Sequence, residues 1–462
     1  MAAASSRPQY NPYLIVAVVT LGNFIGPLYS SVANVLVPQL IASFKVGVET
    51  MEWTVTGYML GYSVVTPVSG WLSDTFGRKR VFLLGLAIFL IGSVCASLAW
   101  SAGALIAFRM LQALGGGLIS PTGLAIVNDV IPAAQRGRAL GLWAMGVMLA
   151  PAIGPWVSGT ILDKFFDWRP VFLLGVPFGL AALIIGAVVL PAGRANEKRS
   201  SFDTLGCALL TVAIVCFLVP VTQASRIGWG NDLVWIGLAI SAASFTAFAV
   251  HELRSPAPMI DLRLFKDQTF SVAIALRGVV AGGYYVPVFL LPLFVEDLLG
   301  WTAAQSGAML LPAGVALALI MPLSGFLSDR IGPRPIVIVG AALAAIGTFL
   351  FTSLDGTWDH SQFIWYNVIR NGALGLLFTP LTAAALASIP RNRAGQASAI
   401  INTVWQLGGS VAIAVGEAYL QIRTAASTPV YAYRAAFMAG AILMAACVPV
   451  AFMLGKRQQR EA

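Results

Sequence analysis

Apolar runs of about 18 to 25 residues recur from residue 14 to residue 454, separated by short polar stretches. Each run is long enough to cross roughly 30 Å of hydrocarbon as a helix. Fourteen such spans are expected. Six occupy residues 14–190, two follow at 204–223 and 232–251, and six more fill 269–454. Polar tails remain at 1–13 and 455–462, and the short, polar start followed by a full-length span does not read as a cleaved leader. A β-barrel would show alternating segments of about ten residues, a pattern absent here. The expected class is an all-α polytopic membrane protein.

Polar residues inside the apolar runs then need a reason. The first span contains "NFIGPLYSSVANVLVPQL", in which Asn23, Ser30 and Asn34 share one helical face and Gly26 and Pro27 can bend the helix. These groups face either a polar cavity or a neighbouring helix. Tyr29 lies beside them. A charge at the bilayer centre costs at least about 2.5 kcal/mol, yet Arg109, Arg277, Arg370 and Glu417 fall within spans. Gln112 lies one turn from Arg109, and Tyr284 lies two turns from Arg277. Asn402, Gln406, Ser410, Glu417 and Gln421 form a polar stripe on the thirteenth span, next to Trp405. Asn23, Tyr29, Ser30, Asn34, Arg109, Gln112, Arg277, Tyr284, Arg370, Trp405 and Gln406 are therefore the candidate substrate-binding residues. Arg109 and Arg370 are expected to reach a central cavity at similar depth, one from each half, although arginines in such places also serve as structural clamps on backbone carbonyls. Glu417 is the first candidate for a proton-carrying group. Glu296 and Asp129, nearer span ends, follow it.

Composition fits this picture: 58% of residues are hydrophobic and 10% are charged, against roughly a quarter charged in soluble domains. The net charge of +9 does not indicate nucleic acid. With the N-terminus inside, 19 of the 28 Lys and Arg fall in cytoplasmic segments and six in outer loops, which is the positive-inside bias. An even number of spans puts both termini in the cytoplasm. The four cysteines lie within spans without metal-ligand spacing, and the two histidines, His251 and His360, lie near loops. No acid pair, metal motif or phosphate-binding G-x-x-x-x-G-K-[ST] loop occurs, so an enzyme or an ATP-driven pump is not expected and no cofactor is implied.

The chain also repeats itself. "GWLSDTFGRKR" at 70–80 and "GFLSDRIGPRP" at 325–335 share G-x-L-S-D-x-x-G, and Arg109 and Arg370 sit in a second pair of similar stretches. The offsets exceed six spans by about two, so the spans at 204–223 and 232–251 are an insertion between two six-helix bundles. Gly70 and Gly77 suit a tight approach and turn. Asp74 with Arg78 can form a latch whose carboxylate faces a helix N-terminus of the other bundle, and Asp329 occupies the equivalent place. In "GVMLAPAIGPWVSG", Gly146, Pro151, Gly154 and Pro155 make a thin, bent helix suited to packing that changes between states.

On these stretches, with "RMLQALGGG", "WRPVFLLGVPFG", "PMIDLRLFKDQTF", "LPLFVEDLLGWTAAQSGAMLLP" and "GQASAIINTVWQLGGS", the chain resembles the major facilitator superfamily. Within it, the resemblance is to the fourteen-helix drug:proton antiporters of the EmrB/QacA type, over nearly the whole chain. It implies multidrug efflux, and with it antibiotic resistance, by proton antiport and alternating access in the cell (inner) membrane. The implied partners are the lipid bilayer, a small amphipathic substrate and protons, and a periplasmic adaptor is a partner that the resemblance admits. The family's first-helix aspartate aligns with Tyr29, which cannot serve as a carboxylate. Export of one lipid, siderophore or metabolite, without coupling at that place, is the alternative.

Overall fold

The computed structural model describes residues 11–191, 202–256, 258–301, 303–353, 358–390, 393–426 and 428–455. The described residues form fourteen long helices and four short 3-10 turns. The first six helices are α1 (Pro12–Phe44), α2 (Val48–Phe76), α3 (Arg78–Ser97), α4 (Ala102–Val130), α5 (Arg136–Phe165) and α6 (Val176–Val189). Two more, α7 (Thr204–Ile227) and α8 (Asp232–Arg254), stand in the middle of the chain. The last six are α9 (Gln268–Asp297), α10 (Ala303–Ile331), α11 (Pro333–Phe349), α12 (His360–Ala387), α13 (Ala394–Ala426) and α14 (Pro429–Ala451). Thirteen of these helices are long and apolar enough to cross a membrane. The exception is α2, 29 residues long but diluted by five threonines, three serines and two glutamates.

Helix starts follow local chemistry. Asn11, Ser101, Asp203, Asn231 and Asp267 each accept a backbone N–H of the first turn of α1, α4, α7, α8 and α9, the usual satisfaction of donors that have no partner inside the helix. Asp359 and Gln362 form a reciprocal capping box at the start of α12. Gly77 joins α2 to α3 at φ 90°, and Gly332 joins α10 to α11 at φ 87°. Both turns need a conformation that residues with a Cβ avoid, which accounts for a glycine at the same place in each copy of the repeat.

Helices α1 to α6 pack mainly on one another, and so do α9 to α14. The two groups meet where α5 lies against α10 and α2 lies against α13, with α4 also touching α13. Helix α7 touches both α2 and α13, while α8 packs on α7 and on the turn before α9. The α2–α3 and α10–α11 turns mark the lower end of the molecule. There Gly137 and Gly141 of α5 face Gly325 and Met321 of α10 so closely that no side chain would fit. Ala152 still meets Gly314 about halfway up. Farther up in the same register, Gly159 and Gly307 have open space where a Cβ would stand. The α5–α10 seam is therefore in direct backbone contact below, while the space beside its upper glycines is open.

Candidate functional site

Two carboxylates close the lower end. Asp329, at the end of α10, accepts the Gly137 and Arg138 backbone N–H groups through its two oxygens, at 2.7 and 2.9 Å. These are first-turn donors of α5, so an acid from one bundle caps a helix of the other. Asp74, in the last turn of α2 at the lower end, meets the backbone N–H groups of Gly395 and Gln396 at the start of α13. The two caps are related by the repeat. Burial pushes the Asp74 carboxyl up from its usual 3.8 to about 6, against the opposing pull of Arg78 and of the Gln396 and Gly395 N–H groups. Arg78 lies 3.7 Å from Asp74 and also ion-pairs with Asp129. Gly70 lets the helices touch: a Cβ there would stand 3.1 Å from the Gly395 carbonyl oxygen.

At mid-depth, the facing helices present neutral polar and aromatic groups. Ser120 of α4 donates to Asn402 Oδ1 of α13 at 3.1 Å, crossing between the bundles. The Tyr62 hydroxyl of α2 is hydrogen-bonded to the same serine. Beside them Trp405 packs between Tyr284, Tyr285 and Phe378, with ring centroids 5.0–5.8 Å away. Ser120 carries no signal in the sequence, since serine is common in spans. Gly137 and Gly141 could be read from their small-x-x-x-small spacing, which favours close helix contact.

The buried arginines require a correction. Arg109 donates to the Thr54 and Tyr29 backbone carbonyls and to Gln112 Oε1, and its guanidinium lies 4.3 Å from the Tyr58 ring centroid. Gln112 in turn donates to Ser93. All these partners belong to α1 to α4. Arg370 donates to the Gly283 carbonyl and Asn367 Oδ1. Arg277 donates to the Ile401 and Phe378 carbonyls and to Thr382, and stacks on the Phe378 and Trp405 rings. Each arginine is held within its own bundle, as a clamp between helices. The expected pair of cavity-facing arginines is absent because buried guanidinium groups take the carbonyl oxygens nearest to them.

Tyr29 also differs from expectation. Its hydroxyl donates to the Phe172 carbonyl at 2.6 Å and accepts the Gly175 N–H at 2.9 Å, and its ring lies between Phe89 and Phe172. It faces the interior of its own bundle and is fully buried. Asn23 is buried there as well, and Ser30 donates to the Pro27 carbonyl of its own helix. The side chains of Asn34, Pro155 and Gln421 lie outside the described residues. Gly146 and Gly154 pack against Thr20 and Ser31 of α1, so they serve contact within the first bundle, whereas Ala152 faces α10. Pro151 is half-buried between these two faces. Asp129 belongs to the lower ion-pair network, and Glu296 is exposed in the last turn of α9. Neither sits in the interior of a span. Glu417 is half-buried on α13, four turns above Asn402, and Gln406 is half-buried between them.

Two pseudo-repeated helical bundles, joined at the lower end by reciprocal caps, have the architecture of a membrane transporter. The chain belongs to the Major Facilitator Superfamily, whose family model matches residues 19–413. It is 32% identical to the uncharacterized MFS-type transporter YhcA of Bacillus subtilis, over 89% of this chain and 77% of that protein. It is 31% identical to the multidrug resistance protein Stp of Mycobacterium tuberculosis, over 86% of this chain and 73% of that one. The crystal structure of the human organic anion transporter MFSD10 has the same fold, with a TM-score of 0.68 at 16% identity, covering 97% of this chain and all of that one.

Proposed function

We propose that the protein is a fourteen-span, proton-coupled exporter of amphipathic and aromatic compounds in the cell membrane, working by alternating access. The carrying observation is the pair of reciprocal caps, Asp74 on α13 and Asp329 on α5, beneath a seam whose upper glycines have open space beside them. On this reading the lower end is cytoplasmic, both termini lie on that side, and the state described is closed inward and open outward. The positive-inside distribution of Lys and Arg supports the orientation. Tyr62, Ser120, Asn402, Tyr284, Tyr285 and Trp405 then form the surface that meets substrate, with aromatic faces for stacking and neutral groups for orientation. The name carried by the Mycobacterium relative agrees with efflux of varied compounds.

A second reading, export of one neutral or anionic metabolite, is favoured by Tyr29, whose hydroxyl is held by two backbone groups. Transport in proteoliposomes under an imposed pH gradient, screened over cationic, neutral and anionic aromatic compounds, separates the two. Uptake of several compounds driven by the gradient supports the first reading. Uptake of one compound, indifferent to pH, supports the second.

A further inference from the structure

Between α8 and α9 the chain runs across the lower face in a short linker. Met259, Ile260, Asp261 and Leu264 of this linker are buried. Asp261 forms an ion pair with Arg393, the residue directly before α13; the carboxylate is 7% exposed and the guanidinium 46% exposed. The next two residues but one, Gly395 and Gln396, are those that meet Asp74. On the other side of the seam, Phe202 stands just ahead of α7 and packs on Trp71, with ring centroids 4.7 Å apart. Trp71 follows Gly70, where α2 lies close against the start of α13.

The pieces between these two anchors are tied together. Asp203 caps α7 through the Gly206 N–H at 2.7 Å and is bonded to His251 Nε2 of α8 at 2.8 Å. Glu252, the next residue, accepts the Ile260 N–H of the linker at 3.4 Å. Arg263 of the linker donates back to the Leu253 carbonyl. The start of α7, the end of α8 and the linker are therefore joined into one hydrogen-bonded unit, and that unit touches both bundles beside the lower gate.

We propose that the inserted helix pair and its linker form a clasp on the lower gate, holding α2 through Phe202 on Trp71 and α13 through Asp261 on Arg393. Separation of α2 from α13 at this end pulls the anchors apart. One of them must then break, leaving either an aromatic face or a buried carboxylate without its partner, and this biases the molecule toward the closed state. Asp261, Arg393 and Phe202 are positioning residues: they act on the gate through the start of α13 and the end of α2. The clasp gives the "PMIDLRLFKDQTF" stretch a physical role beyond linking two helices.

The inference rests on the reading that the lower end opens during transport. It is tested by double electron–electron resonance on protein in nanodiscs, with the four native cysteines replaced by alanine. Nitroxide labels go at Ala134→Cys and Ala387→Cys, exposed positions at the lower ends of the two bundles. Asp261→Asn and Phe202→Ala should each raise the long-distance population roughly three- to tenfold, the effect of a partly exposed ion pair or a single aromatic contact on a two-state equilibrium. The exchanged pair Asp261→Arg with Arg393→Asp should return it toward the starting distribution, which a merely structural role would not do. If Asp261→Asn does not fold, Phe202→Ala decides alone, since it leaves no buried charge behind. Unchanged distances in folded Phe202→Ala protein would overturn the clasp. The readout needs neither substrate nor gradient, so failure to find a transported compound does not affect it. A lower end that never lengthens, even in an Asp74→Ala, Asp329→Ala variant, would instead overturn the gate reading.

Discussion

Tyr29 makes two hydrogen bonds with one buried hydroxyl, to the Phe172 carbonyl and from the Gly175 N–H. Tyr29→Phe leaves both backbone groups unpaired and should cost about 1–3 kcal/mol of stability. Thermal melting in detergent should show the loss, while substrate selectivity stays as in the parent; a selectivity change without a stability change would return Tyr29 to the substrate surface. Glu417 makes a different prediction. If it carries the proton, Glu417→Gln abolishes gradient-driven transport but permits substrate exchange across the membrane. Unchanged gradient-driven transport would remove it from the mechanism. At this scale the sequence shows which spans hold polar groups, because each such group stands out against an apolar background. It does not show where those groups point. From the sequence, Arg109 can face a cavity or the carbonyl oxygens of neighbouring helices; in the packed structure it takes those of Tyr29 in α1 and Thr54 in α2.

The α2–α3 turn and its repeat are the most legible elements, since a glycine at positive φ, an acid and a following basic residue each leave a fixed letter in the chain. The clasp is harder to read because Asp261 and Arg393 are 132 residues apart. The gate element should also respond to pH. In the closed state, burial raises the Asp74 carboxyl to about 6, whereas an open, hydrated gate returns it toward its ordinary value of 3.8. The closed state thus binds the proton more tightly. Its extra stabilisation is complete below about pH 4 and is lost as pH rises through about 6. Arg78, with Asp129 behind it, is the charged neighbour that opposes the shift. The nitroxide pair at 134 and 387 should report fewer closed molecules as pH rises across this window, and Asp74→Asn should flatten the response. A pH response that persists unchanged in Asp74→Asn would place the titrating group elsewhere.

For the whole molecule, the two bundles and the inserted pair are legible from the offset between repeats, because each span leaves a fixed length of apolar chain. Which end is closed is not legible, because both states of an alternating transporter share one sequence. The reciprocal caps decide it here. The most direct test is gradient-driven transport by an Asp74→Ala, Asp329→Ala variant in proteoliposomes, set against equilibrium binding of the same compound. Loss of a helix cap costs about 1 kcal/mol, so losing both lowers the closed-to-open ratio by a factor of roughly 30. Transport should fall by up to that factor while affinity stays within roughly threefold. Undiminished transport by the folded variant would mean that the caps do not hold the gate.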